Sequence, residues 1–171
     1  GLVRFDGFRF TVFDRTNTPE MARNNVQVLY EDRAGTLWVA TEGGGLNRYR
    51  AGTFTSITSK EGLSSDNVTA LVEDRAGVLW IGTEGGGLNQ YRDGSASVFT
   101  TREGLSNNNV TSLYEDRAGS LWVGTEGGGL NRYRDGTFTT FTTREGLSNN
   151  VVKALYEDKE GSLWVGTWGG G

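Results

Sequence analysis

The sequence predicts an all-β protein, a β-propeller of four-stranded antiparallel blades, and three observations predict it. Trp38, Trp80, Trp122 and Trp164 stand 42 residues apart, and the glycine triples ending at Gly45, Gly87, Gly129 and Gly171 keep the same step. A fixed period of that size marks a repeat architecture. Within each period, short runs rich in β-branched and aromatic residues are bounded by Gly, Asn or Asp, which supply the positive φ or side-chain capping that hairpin turns need. No segment spaces its apolar residues at 3.6 for long enough to make a helix. A single four-stranded sheet cannot bury both its faces, so the repeats must stack on one another around an axis.

The third repeat shows the unit most clearly. A first strand (VTSLYED, 110–116) is followed by a turn at 117–119, a second strand (LWVGT), a glycine turn, a third strand (LNRYR), an Asp-Gly turn at Asp135 and Gly136, and a fourth strand (TFTTFTT). The chain opens inside such a unit, because GLVRFDGFRFTVF (1–13) aligns with GLNRYRDGTFTTF (129–141). Residues 1–171 are therefore expected to form one propeller domain of four blade-equivalents: a half-blade at 1–13, blades at about 25–58, 67–101 and 109–143, and a half-blade at 151–167. The link at 14–26 is two residues longer than its counterparts, yet Met21 falls where Leu63, Leu105 and Leu147 fall and is expected to fill the same apolar socket. Pro19 and Glu20 replace the Glu-Gly of the other links, as either a specificity loop or drift in a tolerant surface segment.

Leu37, Trp38, Val39 and their equivalents are large and apolar, as a strand covered on both faces requires, and the tryptophans read as packing. Phe10 and Phe13, Phe54 and Ile57, and Phe138 and Phe141 read as outer-strand core, with Ala96 leaving a thinner outer strand in the second complete blade. In the recurring EDRAG, adjacent Glu and Asp point to opposite faces of a strand and cannot flank one substrate atom. The Asp is expected to accept hydrogen bonds from turn amides, with the Arg solvated. TEGGGL lacks the following helix that a phosphate loop needs, so its glycines read as a hairpin turn or a close backbone approach.

The segments 31–49, 73–91, 115–133 and 157–171 (EDRAGTLWVATEGGGLNRY and its variants), with the links EGLSSDNV, EGLSNNNV and EGLSNNVV, resemble the two-component regulator propeller repeat. The resemblance covers nearly the whole chain. It implies a propeller from the extracytoplasmic sensor half of a bacterial signalling protein, often a hybrid histidine kinase and sometimes one responding to oligosaccharides, in the periplasm or outside the cell.

Composition narrows the function. With no histidine and no cysteine among the 171 residues, the commonest general base and the thiolate and imidazole metal ligands are missing, so no cofactor or metal is expected. A net charge of -4 is a poor match to nucleic acid. No apolar run reaches membrane-spanning length and GLVRFDG carries no signal peptide.

In a propeller the turn between second and third strands shares a face with the links between blades. Glu42, Glu84, Glu126 and Trp168 occupy that turn, and Arg23, Asn67 and Asn109 lie in the links. Carboxylates, amides and an indole on one rim suit an oligosaccharide ligand, although repetition also suits ordinary turn residues. A non-catalytic sensor module is thus weighed against a structural scaffold, natural or engineered, and against a lyase or glycosidase using Glu84 and Glu126. Like groups in like environments argue against the enzyme. The discriminating feature is asymmetry, and Val151, Lys153, Trp168 and the 14–25 link break the pattern. Finally, the complementary half-blades are expected to pair between two copies, giving a homodimer ring of eight blades, ahead of a four-bladed ring closed within one chain and of a broken piece of a longer array. Four blades would need about 90° per step and eight about 45°, and bulky residues on both blade faces, such as Trp122 and Tyr133, suit nearly parallel stacking.

Overall fold

The computed structural model describes residues 1–170; Gly171, which closes the fourth glycine triple, lies outside the described residues. The described residues contain sixteen strands and one 3₁₀ turn: β1 (Leu2–Phe5), β2 (Phe10–Phe13), β3 (Val26–Glu31), β4 (Leu37–Thr41), β5 (Gly45–Arg50), β6 (Thr53–Ile57), the turn Ser59–Glu61, β7 (Val68–Glu73), β8 (Leu79–Thr83), β9 (Gly87–Arg92), β10 (Ser95–Phe99), β11 (Val110–Glu115), β12 (Leu121–Thr125), β13 (Leu130–Arg134), β14 (Thr137–Phe141), β15 (Val152–Glu157) and β16 (Leu163–Thr167). They form three four-stranded antiparallel meanders, β3–β6, β7–β10 and β11–β14, and two two-stranded sheets, β1–β2 and β15–β16. These are the blades and half-blades of a propeller.

The chain divides into two compact units, Gly1–Val68 and Thr69–Gly171. In the first, Leu2, Met21, Val39 and Phe54 are buried together, with Phe13, Leu37 and Tyr49 against them. Met21 is fully buried and fills the socket expected of it. The core of the second is Val78, Trp80, Leu88, Leu105, Val110, Leu121 and Val123. Every residue of β8 is buried, which is why its sequence is a continuous apolar run rather than an alternating one.

Each EDRAG turn is built on its aspartate. Asp74 Oδ1 accepts the amides of Ala76 and Val78, both at 2.9 Å, while Oδ2 accepts the Trp80 indole N–H at 2.8 Å; Asp32, Asp116 and Asp158 repeat the pattern with Trp38, Trp122 and Trp164. The tryptophans therefore fasten the turn as well as pack. Burial opposes ionisation of Asp32, but hydrogen bonds from Thr36, Trp38 and Ala34 outweigh it and hold the carboxyl below its ordinary range. Asp116 follows the same balance through Ser120, Trp122 and Ala118.

Three expectations need correction. The EDRAG arginines are not simply solvated: Arg75 reaches the carbonyls of Asp116 and Arg117 one blade on, and Arg117 Nη1 reaches Lys159 O at 2.9 Å. A half-exposed guanidinium can still cap carbonyls that the next turn leaves open. Phe10 is 71% exposed and Trp164 63%, against 3% for Trp80, because each lies in a two-stranded sheet with fewer neighbours to cover it.

Candidate ligand-binding site

The glycine turns set the stage. In each complete blade the first and third glycines take positive φ, 77° and 82° at Gly85 and Gly87, which side-chain-bearing residues rarely adopt. The third glycine also lies against the outermost strand's last carbonyl, at Ile57, Phe99 or Phe141, so that no Cβ fits. Its amide donates to the link leading to the next blade, Gly87 N to Asn108 O at 2.8 Å and Gly129 N to Asn150 O at 2.9 Å. The glycines thus make a hairpin turn and a close approach at once, and they hold the residue before them at the rim beside the link.

In the first unit the rim holds three of the sequence candidates. Glu42 Oε2 accepts from Asn25 Nδ2 at 3.1 Å, and Asn67 Oδ1 accepts the Gly43 amide at 2.7 Å. The Arg23 side chain covers Gly44.

In the second unit the other four come together. Glu84, Asn109 and Glu126 line an open cavity of about 430 Å³ with Thr69, Val110, Thr111 and Lys153. Lys153 Nζ pairs with Glu126 Oε2 and lies 5.9 Å from the centre of the Trp168 ring, which is 71% exposed. Trp168 N donates to Val151 O at 2.9 Å, and Val151 bridges Glu126. Three departures from the repeat, Val151, Lys153 and Trp168, therefore gather around one rim carboxylate.

The threonines and the lysine were not among the sequence candidates for the site. They occupy one column of the repeat, Gln27, Thr69, Thr111 and Lys153, each directly after the first residue of a first strand. β11 and β15 are bulged at this point, which re-aims the side chain out of the ladder. Thr69 Oγ1 donates to Val110 O at 2.6 Å, and Thr111 Oγ1 to Val152 O. Lys153 spends the same position on Glu126 instead. The column was readable at the 42-residue step; what sequence alone could not show was that the bulge turns it toward the rim glutamates. Chemically, the cavity offers two carboxylates, an ammonium, and amide and hydroxyl groups, and the Trp168 indole lies beside the ammonium. No cluster of three or more His, Cys, Asp or Glu able to hold a metal occurs among the described residues.

Four-stranded meanders repeated at a 42-residue step define a β-propeller repeat array. The profile of the two component regulator propeller family matches residues 21–43, 62–85, 104–127 and 146–169, more than half of the sequence. The chain belongs to that family. It is similar to the extracellular domain of a proposed hybrid two-component system from B. thetaiotaomicron, 26% identical with a TM-score of 0.71 over 85% of this chain and 22% of that one. A second such extracellular domain from B. thetaiotaomicron is 22% identical, TM-score 0.60, over 94% of this chain and 28% of the other. Virginiamycin B lyase from Staphylococcus aureus shares the fold at 17% identity, TM-score 0.64, over 82% of this chain and 48% of the lyase. The chain spans under a third of the two sensor domains it resembles. No curated protein matches it.

Proposed function

We propose that this chain is part of the extracytoplasmic ligand-recognition region of a bacterial two-component sensor and that it binds rather than transforms its ligand. The observation that carries the reading is the meeting of Lys153, Trp168 and Val151 at Glu126: residues that serve only the fold recur at every step, whereas these three do not. An exposed indole beside carboxylates, threonines and an asparagine suits an oligosaccharide, with a sugar face on the ring and hydroxyls on the polar groups. Similarity to extracellular sensor domains supports the placement outside the cytoplasm, and no helix among the described residues is long and apolar enough to cross a membrane.

Catalysis is left out of the reading because the sequence supplies no histidine or cysteine, the commonest general base and the most nucleophilic thiol. Turnover of a glycan that Glu84→Gln or Glu126→Gln abolishes would overturn this. A scaffold without a ligand is favoured by one observation, the use of Asn67 and Asn109 to hold turn amides. A glycan array followed by calorimetry separates the two. Binding that Trp168→Ala weakens about tenfold or more supports the sensor reading, and an array with no hits supports the scaffold. Affinity unchanged by Trp168→Ala removes the indole from the site.

A further inference from the structure

The two-stranded sheets at either end of the chain are complementary halves of one blade. β1–β2 repeats β13–β14: Leu2 pairs with Phe13 as Leu130 pairs with Phe141, and the Phe5 and Phe10 rings meet at 4.6 Å as those of Tyr133 and Phe138 meet at 4.8 Å. β15–β16 repeats β11–β12, down to the bulge after its first residue. In a complete blade the second strand pairs on both sides, β12 with β11 and with β13; β16 pairs only with β15, and β1 only with β2. Each therefore offers a free row of backbone donors and acceptors. Beside these edges Trp164 is 63% exposed, Phe5 57% and Val3 51%.

We propose that β16 of one copy takes β1 of a second copy as its missing neighbour, and that the reciprocal pairing closes a two-chain ring. The register follows from Leu121↔Tyr133, Trp122↔Arg132, Val123↔Asn131 and Gly124↔Leu130: Leu163 faces Phe5, Trp164 faces Arg4, Val165 faces Val3 and Gly166 faces Leu2. The Arg132 guanidinium lies 5.9 Å from the centre of the Trp122 ring, so Arg4 covers Trp164 in the same way. Val3 and Val165 form an apolar pair where complete blades bury Asn131 opposite Val123.

The occupant is a second copy because, within each unit, the blade step is shallower than the 90° that a ring of four blade-equivalents asks of every step. Within the second unit the outermost strands touch, Phe99 of β10 and Phe138 of β14 having ring centres 5.9 Å apart. Within the first, Phe13 of β2 and Phe54 of β6 are 5.5 Å apart. Phenylalanine side chains reach about 5 Å from their strands, so such contacts keep outer strands within roughly 16 Å. Three strand spacings make a blade about 14 Å deep, and a 90° step would splay the outer strands roughly 20 Å further apart than the inner ones. A shallower step brings the splay down toward that limit, and a two-chain ring of eight blade-equivalents asks about 45° of each step where a one-chain ring of four asks about 90°. The pairing is isologous, as a closed C2 assembly requires. Further repeats on either side would take the same two edges, so the test uses the 171-residue chain.

Multi-angle light scattering on this chain should give a folded species of two chains, against 18.6 kDa for one. Val3→Lys and Val165→Glu, each alone, leave an unpaired charge buried in both composite blades and should give single chains. Mixing the two variants places the new charges opposite each other in one blade and leaves Val3 against Val165 in the other, so a two-chain species should return. Recovery on mixing separates the pairing from mere misfolding. A folded single chain at every concentration for the unsubstituted protein overturns the proposal, as do open assemblies that grow with concentration, or variants that fail to rescue each other.

Discussion

At the turn that begins with Glu84, the amide of Gly85 is held by the Asn109 side chain at 2.6 Å. One repeat later, at Glu126, the asparagine has become Val151, and the Gly127 amide takes the Asn150 carbonyl at 3.1 Å. Both turns keep the same glycines, the same positive φ and the same backbone anchor to the link. The backbone device is thus indifferent to the side chain, and an asparagine is an addition to it. Where that addition is gone and a lysine replaces the bulge threonine, the rim carboxylate gains a charged partner. The comparison teaches that the glycine frame carries the fold, which frees the positions around Glu126 to change.

The strongest test of a shared frame is to break it in both places. Gly87→Ala and Gly129→Ala each force a Cβ into positive φ and onto the Phe99 or Phe141 carbonyl, and both should cost about 3 kcal/mol or more in chemical denaturation. Gly127→Ala also has positive φ but meets nothing within 4 Å, so it should cost only about 1 kcal/mol. Equal losses at all three positions would mean that close approach plays no part.

The next effect comes from the aspartate hubs. Asp116→Asn keeps the size of the side chain but gives up a carboxylate that accepts Ser120 N and Trp122 Nε1, and should cost about 1–3 kcal/mol. Asp32, Asp116 and Asp158 are held below their ordinary pKa. Their stabilisation is therefore complete above the unfolded value near 4 and is lost as pH falls through the lower folded values. Unfolding midpoints should drop steeply below about pH 4, and Asp116→Asn should flatten that drop. A midpoint independent of pH between 2 and 5 would remove the hubs from the account.

Period, strand content and turn chemistry were legible because the chain states them at every step: a 42-residue recurrence of Trp and Gly leaves few architectures open. The Asp-to-turn hydrogen bonds followed from EDRAG itself. The Arg75 reach to the next turn did not, because it depends on blade spacing, which no single repeat encodes. The 3₁₀ turn Ser59–Glu61 was written in the sequence as a capping box, Thr58 with Glu61, repeated at Thr100 with Glu103 and Thr142 with Glu145. It is too short to show in apolar periodicity. Glu84, Asn109 and Glu126 were picked out by their place in the repeat, and Lys153 was seen as a departure from it. Only the bulge after the first residue of β15 could place that lysine on Glu126.

The smallest expected stability effect is the sharpest for function. Lys153→Thr returns the last repeat to the pattern of Thr111, and the ion pair it removes is between side chains 40% and 46% exposed. Such pairs contribute about 0–1 kcal/mol, so the melting temperature should move by no more than a few degrees. If Glu126, Lys153 and Trp168 form the ligand site, the same change should weaken glycan binding about tenfold while leaving the fold intact. Val151→Asn offers the Gly127 amide the side-chain acceptor that Gly85 already has, and should gain about 0.5–1 kcal/mol without touching the lysine. A variant pair in which stability rises with Val151→Asn and affinity falls with Lys153→Thr separates the two roles of the rim. Affinity that follows stability in both would return these residues to the frame.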